Sequence, residues 1–187
     1  MSRLPANNLH SGGNIDQKGG DFIVDFKWEP LSAHHAEELL NLWGDEDVIR
    51  YTAIPSPCLL EQIRSRIDNL SAFDVFVIRV EDEVVGVVGC IPMEGPQERY
   101  GVFYQLKKIF WGKAFATHMV DEMLMKMKEK SPSAVFYADV VADNIASEKI
   151  LRHFDFQCIS VEQDGFERDG SKMDVRHYML SFEGAKS

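Results

Sequence analysis

Apolar positions recur along the chain with two spacings, the two-residue spacing of strands and the three-to-four-residue spacing of amphipathic helices. The first spacing predicts seven strands, at 21–28, 75–80, 84–91, 99–106, 134–141, 157–163 and 173–181. The second predicts helices at 32–43, 57–70, 111–130 and 144–154, with a short turn or helix at 45–51. This order of elements predicts a single mixed α/β sheet with helices on its faces.

Two features of the pattern indicate the centre of the sheet and the limits of the domain. The segment 84–91 reads VVGVVGCI and is apolar on both faces, which predicts a strand in the middle of the sheet. Residues 1–20 are rich in glycine, asparagine and serine and show neither spacing, which predicts an N-terminal tail. We therefore expect a single domain over 21–187.

Composition changes this picture little. Of the 187 residues, 45% are apolar and 27% charged, which is ordinary for a globular domain. The longest apolar run, 84–93, is too short to span a bilayer, and the N-terminus lacks the apolar core of a secretory signal. We therefore expect a cytoplasmic protein with no membrane partner. The cysteines Cys58, Cys90 and Cys158 are odd in number and widely spaced, which predicts reduced, buried thiols.

Charge distinguishes one segment from the rest. With 30 acidic and 20 basic residues the net charge is −10, so a nucleic-acid partner is not expected. The segment 104–117, YQLKKIFWGKAFAT, instead contains three lysines and no acid. It runs from a strand into a helix start, where Gly112, Ala114 and Ala116 leave room for an anion to reach free backbone N–H groups. The same pattern also fits close helix packing, and neither a P-loop nor a dinucleotide-binding motif is present.

A second strand-to-helix junction, DNIAS at 143–147, helps to interpret the first. Alone, Asp143 or Asn144 also fits a helix cap. Together with FWGKAFAT at 110–117 and FDF at 154–156, it resembles the RimJ/RimL-type branch of the GNAT N-acetyltransferase superfamily, whose motifs read YWGKGYAT, N-x-x-S and L-G-F. EPL at 29–31 and DEDVIRY at 45–51 are similar to that branch's R-P-L and D-P-E-V-x-R-Y, so the resemblance spans about 22–182.

The resemblance implies a GNAT-like fold, a mostly antiparallel seven-stranded sheet with helices on both faces and a splay between the fourth and fifth strands. It implies acetyl-CoA as the acetyl donor, with the pyrophosphate on backbone N–H groups of 111–116 and the pantetheine arm paired along 104–106. Lys107, Lys108 and Lys113 are candidates for electrostatic help. The expected cofactor-binding residues are Tyr104, Gln105, Leu106, Lys107, Trp111, Gly112, Lys113, Ala114, Phe115, Ala116, Asn144 and Ser147.

The implied reaction is direct acetyl transfer to a primary amine of a protein N-terminus, a polyamine or a small molecule. Ser147 is expected to donate a hydrogen bond to the leaving thiolate, and Asn144 to position the pantetheine or the splay. Glu98 is the first candidate for the general base, and water alone is an alternative. The other candidates for the base are Tyr100, Glu94, Asp139 and His118. No metal is expected, since no set of histidine, cysteine and carboxylate has ligand spacing.

Four positions depart from the family pattern. Ala114 replaces the second loop glycine, and Asp155 replaces a glycine whose place favours positive φ. Gly101 stands where the branch has a strand glutamate, and Leu151 where other members have a tyrosine acid. These last two departures keep a non-catalytic acyl-CoA-binding module open as an alternative, beside an unrelated α/β interaction module.

Three further expectations concern the oligomeric state, the walls of the acceptor site and the exposure of the histidines. The chain is expected to be a monomer or homodimer. The candidate walls of the acceptor site are Trp28, Tyr51, Phe166 and Tyr178, each of which also fits a core position. The histidines expected on helix surfaces are His34, His35, His118 and His153.

Overall fold

A computed structural model describes residues 25–95 and 97–182. The strands are β1 Phe26–Pro30, β2 Asp74–Val80, β3 Glu83–Met93, β4 Arg99–Leu106, β5 Val135–Val141, β6 Gln157–Arg168 and β7 Ser171–Ser181. The helices are α1 Ala36–Trp43, α2 Glu46–Ile49, α3 Leu60–Leu70, α4 Phe115–Lys130 and α5 Ile145–His153. The tail predicted at 1–20 and the predicted strand positions Phe22 and Val24 lie outside the described residues.

All seven strands form one sheet in the order β1-β2-β3-β4-β5-β7-β6. Every neighbouring pair is antiparallel except β4 and β5, which run parallel. The β4–β5 register covers only Arg99–Gly101 against Val135–Tyr137, so the two strands separate beyond Gly101 and Tyr137. The mostly antiparallel sheet and the splay between the fourth and fifth strands are confirmed.

Helices cover both faces of the sheet and form two cores. On one face α4 and α5 pack against the sheet through Met119, Met123 and Leu151, all fully buried. On the other face α1 and α3 do the same through Leu39 and Ile63. The β3 residues 84–90 are buried throughout, which confirms the predicted central strand. In the described part of the chain, no helix has both the length and the apolar composition needed to cross a membrane.

Three predicted boundaries were wrong for local reasons. Helix α3 begins at Leu60 rather than at the Ser56-Pro57 step, because the Leu59 N–H donates to Gln62 Oε1 (2.8 Å) and caps the helix there. Helix α4 begins at Phe115 rather than at Trp111, because residues 108–110 form a separate 3-10 turn. Strand β6 extends to Arg168, since it pairs with β7 up to a tight turn.

Two side chains differ from their predicted exposure. His35 is fully buried, not on a helix surface, because its Nε2 hydrogen-bonds Glu29 (3.0 Å) beneath the first helix. Cys158 is exposed because it lies on β6, an edge strand of the sheet, whereas Cys58 and Cys90 are buried as expected.

The C-terminus of α5 has the positive-φ backbone conformation expected at Asp155, the residue that replaces a glycine of the family pattern. Asp155 has φ 61°, in the left-handed region. The Asp155 N–H donates to Arg152 O and the Phe156 N–H to Leu151 O, both at 3.1 Å, which is a Schellman motif. Phe156 and Leu151 are buried against this turn, so the motif positions α5 at the cleft described below.

The left-handed conformation of Asp155 predicts a stability difference between two substitutions. The free energy of unfolding of Asp155→Ala is expected to be about 1 kcal/mol lower than that of Asp155→Gly, because a Cβ in this conformation clashes with the following carbonyl. Urea denaturation of both variants measures the difference. Equal midpoints would mean that the turn relaxes without cost.

Candidate active site

The splay between β4 and β5 opens into a cleft of about 1200 Å³. Both faces of the sheet and the starts of α4 and α5 contribute to its walls. Because β4 and β5 no longer pair beyond Gly101 and Tyr137, the facing strand edges can pair with an extended ligand that carries amide groups.

The loop before α4 presents backbone donors to one end of this cleft. Gly112 (φ 73°) and Ala114 (φ 60°) both adopt left-handed conformations, and both line the cleft. The first backbone bond of α4 is donated by His118 to Ala114 O (3.0 Å). The N–H groups of residues 115–117 therefore have no acceptor within the helix and are available to an anion. The indole of Trp111 fixes the loop by donating to Leu106 O (2.8 Å).

The three lysines of this segment have different partners. Lys107 pairs with Glu83 (3.0 Å), and Lys108 pairs with Asp47. The Lys113 ammonium instead lies 5.8 Å from the centre of the Phe110 ring, with no carboxylate partner among residues 25–95 and 97–182. Of the three, Lys113 is therefore the cation with no competing carboxylate in the part of the chain that the structure describes.

Asn144 and Ser147 meet Tyr104 across the splay. Asn144 Oδ1 accepts from the Ser147 N–H (3.2 Å), so Asn144 caps α5, and both side chains line the cleft. The Tyr104 hydroxyl donates to the Ser147 carbonyl (3.2 Å). Burial raises the pKa of Tyr104 to about 12, so this hydroxyl keeps its proton at neutral pH. β4 and α5 are thus joined at the place where β4 and β5 have separated.

The other predicted cofactor-strand residues point in different directions. The Gln105 side chain accepts from the indole N–H of Trp43 (2.8 Å), a buried residue of α1, so it faces away from α4. Leu106 is buried in the α4 core. Phe115 and Ala116 line the cleft at the first turn of α4. Ten of the twelve predicted cofactor-binding residues thus line the cleft, whereas Lys107 and Lys113 do not.

Glu98, the first candidate for the base, is not brought to this site. It precedes β4, and its carbonyl accepts from the Val135 N–H (2.9 Å) at the paired end of β4 and β5. It does not line the cleft, and neither do three of the other candidates, Tyr100, Glu94 and His118. The remaining candidate, Asp139, does line it.

Asp139 belongs to a charged cluster that the sequence did not indicate. Its carboxylate lies 2.7 Å from Nδ1 of His177, and Nε2 of His177 lies 3.6 Å from Glu162. The imidazole is 28% exposed and lines the cleft beside Asp139. The cluster forms because β5, β7 and β6 are neighbours in the sheet, with Asp139 directly opposite His177. The sequence signal available was the alternation within β5, which places Asp139 on the face opposite the buried Ala138 and Val140.

The expected walls of the acceptor site are only partly present. Tyr51 lines the cleft, but Trp28 and Phe166 do not. Tyr178 is fully buried and belongs to the core. The wall that lies on the α1 and α3 face instead contains Arg66.

A separate cluster below α1 has the composition of a metal site. Candidate ligand atoms of Glu29, His34 and His35 lie within 4.8 Å of one another. However, Arg79 donates to Glu29 (2.9 Å), and hydrogen bonds from His35 and Arg79 lower the pKa of this carboxyl. The guanidinium of Arg79 is thus bound to the carboxylate that a metal ion would need. The contacts of this cluster are those of an ion-pair network that joins β1, β2 and α1.

Comparisons of sequence with known proteins agree with this geometry. Residues 27–157 match the family model described as acetyltransferase (GNAT) domain. An uncharacterized N-acetyltransferase from Bacillus licheniformis, p20, is 25% identical over 159 residues, which cover 81% of this chain and 88% of that protein.

Solved structures share the fold. RimL, a ribosomal L7/L12 α-N-protein acetyltransferase in complex with coenzyme A, matches with a TM-score of 0.76 and 16% identity over 86% of this chain and 96% of that chain. MccE, a microcin C7 self-immunity acetyltransferase in complex with acetyl-CoA and AMP, matches with a TM-score of 0.73 and 18% identity over 84% of this chain and 92% of that chain.

Proposed function

Since the chain belongs to the GNAT acetyltransferase family, we propose that it transfers an acetyl group from acetyl-CoA directly to a primary amine. The observation that carries this proposal is the splay of β4 from β5, which opens onto the N-terminus of α4 in one cleft. Acetyl-CoA combines an amide-bearing arm with a pyrophosphate. The strand edges suit the first and the free N–H groups of 115–117 suit the second.

The reaction requires four changes at the acceptor and the thioester. The amine nitrogen forms a bond to the acetyl carbon, the bond from that carbon to sulfur breaks, the amine loses a proton and the thiolate gains one. Holding both reactants in one cleft supplies much of the rate enhancement. Backbone N–H groups of β4 beside the splay are suited to polarise the acetyl carbonyl.

We assign the leaving-thiolate hydrogen bond to Ser147 and a positioning role to Asn144 and Tyr104. The Asn144 cap and the Tyr104 hydroxyl both bind the Ser147 backbone, so together they hold the start of α5 against the open edge of β4. Leu151, at the place of the family's tyrosine, is buried and aliphatic, so it cannot donate a proton.

We assign proton removal from the amine to His177 rather than to Glu98. With its Nδ1 proton donated to Asp139, the imidazole carries a free lone pair on Nε2, which accepts the amine proton. The carboxylates of Asp139 and Glu162 lie on either side of the imidazolium that results. Glu98 lies at the paired end of β4, which is the wrong end of the strand for this task.

Protein N-termini are one class of acceptor that fits. The RimL structure is that of a protein α-N-acetyltransferase, which supports a peptide amine among the candidates. Polyamines and small-molecule amines are the other classes. The acidic character of the chain, with net charge −10, attracts amines of all three classes.

The first experiment is a thermal-shift titration with acetyl-CoA, with CoA and ATP as comparators. A ligand that binds only the folded protein stabilises it by about 2.7 kcal/mol at a hundredfold excess over Kd. We expect a saturable shift with acetyl-CoA and none with ATP, followed by release of free thiol when an amine panel is added.

The two other outcomes of this experiment would each contradict a different part of the proposed function. A shift with acetyl-CoA but no thiol release with any amine would favour the non-catalytic acyl-CoA-binding module, for which Gly101 and Leu151 are the motivation. No shift at millimolar acetyl-CoA would contradict the proposed donor.

A further inference from the structure

Helix α3 presents a cation to the cleft from the face of the sheet opposite α4 and α5. Arg66 is partly buried and lines the cleft, and its guanidinium carbon lies 5.7 Å from the centre of the Trp43 ring. Within residues 25–95 and 97–182, no carboxylate forms an ion pair or hydrogen bond with it. This lack of a partner is unusual in a chain with 30 acidic residues and a net charge of −10.

The surroundings of Arg66 offer no compensation for its burial. Burial lowers the pKa of the guanidinium, and the neighbouring Cys58 is a neutral thiol whose pKa burial raises. Three carboxylates line the cleft, and within residues 25–95 and 97–182 none of them is paired with Arg66: Asp47 binds Lys108, Asp139 binds His177, and Asp143 lies just before α5. Because a guanidinium remains charged, this wall of the cleft carries a positive charge that no carboxylate of residues 25–95 and 97–182 compensates.

We propose that Arg66 binds a carboxylate on the acceptor, so that the amines acetylated in this cleft are those that also carry a carboxylate. The proposal rests on the proposed function. A guanidinium accepts a carboxylate through two parallel hydrogen bonds, and the Trp43 ring beside Arg66 restricts the plane in which they form. On the β5 wall, the 70% exposed Asp139 carboxylate attracts the amine end. An acceptor with both charges is therefore complementary to both walls.

The anionic groups of acetyl-CoA are not the partners of Arg66. The N–H groups that suit the pyrophosphate belong to α4, which packs in the core on one face of the sheet. Arg66 belongs to α3, which packs in the core on the other face. The two anion-binding places thus lie on opposite sides of the sheet, and substitution of Arg66 is expected to leave the Kd for acetyl-CoA unchanged.

The test compares acceptors that differ only in one carboxylate, with the full chain and free-thiol release as the readout. One pair is alanyl-alanine and its C-terminal amide, which tests a terminal carboxylate. The other pair is alanyl-glutamyl-alanine amide and its glutaminyl counterpart, which tests a side-chain carboxylate. In both pairs the change lies several bonds from the reacting amine, whose basicity therefore hardly changes.

We expect at least one carboxylate acceptor to have a kcat/KM about 10- to 100-fold above its partner in the wild-type chain. Arg66→Gln is expected to remove that ratio by lowering the carboxylate member only, and Arg66→Lys to restore part of it. Arg64→Gln is the matched control, because Arg64 is an exposed arginine of the same helix.

Several results would overturn the proposal. These are a ratio near one in the wild type, a ratio that survives Arg66→Gln, or acetylation of tyramine with neither carboxylate peptide accepted. A rise in the Kd for acetyl-CoA in Arg66→Gln would make Arg66 a cofactor residue instead. Calorimetric titration of N-acetyl-alanyl-alanine onto the CoA-bound chain repeats the comparison without turnover. Failure of the proposed function is recognised separately, by acetyl-CoA binding without acetylation of any amine.

Discussion

Replacing His177 by asparagine is expected to lower kcat/KM for acetyl transfer by about 100- to 10,000-fold, the usual contribution of a positioned base. Asparagine retains a donor to Asp139 but lacks Nε2, the atom that accepts the amine proton in the proposed mechanism. The imidazole is 28% exposed at the cleft wall, so the substitution is not expected to disturb the core. Acetyl-CoA should bind the variant as it binds the wild type.

The measurement is kcat/KM for acetyl transfer to the same amine by wild type and variant. Asp139→Asn is expected to give a smaller loss, since Asp139 orients the imidazole. His153→Asn is the control, because His153 is an exposed histidine at the end of α5. Wild-type activity in His177→Asn would show that water or another group takes the proton.

Replacing Ala114 by aspartate is expected to weaken acetyl-CoA binding by about 10- to 100-fold. Ala114 lines the cleft immediately before α4, where the pyrophosphate is proposed to bind, and a carboxylate there repels it. The fold should tolerate the change for two reasons. Ala114 has φ 60°, a conformation that aspartate adopts more readily than alanine, and an acid at a helix N-terminus stabilises the helix.

Ala114→Asn separates charge from shape in this experiment. Asparagine has nearly the size of aspartate and tolerates the same backbone conformation, but it adds no charge. Calorimetry of acetyl-CoA binding should therefore give a Kd near wild type for Ala114→Asn and a raised Kd for Ala114→Asp, with unchanged or higher melting temperatures in both. Equal affinities in the two variants would mean that the pyrophosphate does not bind at this loop.

The sequence predicted the parts of the site that depend on neighbouring residues. The strand Arg99–Leu106 has the predicted bounds, and Asp155 has the left-handed backbone that its place indicated. The segment 104–117 runs from a strand into a helix start, as predicted, although the helix begins at Phe115 rather than at Trp111. Each of these features follows from local spacing or from the steric limits of one residue, so a single stretch of chain carries the information.

The candidates for the general base show what the local sequence could not predict. Glu98 is eight positions before Leu106 and directly precedes the cofactor strand, but the splay opens at the other end of that strand. Asp139 and His177 are 38 residues apart and 2.7 Å apart in space, because β7 follows β6 yet pairs with β5. No spacing in the sequence encodes this strand order, which results from how the hairpin of β6 and β7 packs against the sheet.

The sequence by itself therefore determined the elements, the family resemblance and the small-residue start of α4, because hydrophobic periodicity and small residues at a helix start act over a few residues. The tertiary structure decided which charges face the cleft. The His177 cluster depends on three strands meeting, and the place of Arg66 at the cleft depends on α3 covering one face of the sheet. A charge becomes a catalytic or recognition group through its burial and its partners, and only the packed chain determines those.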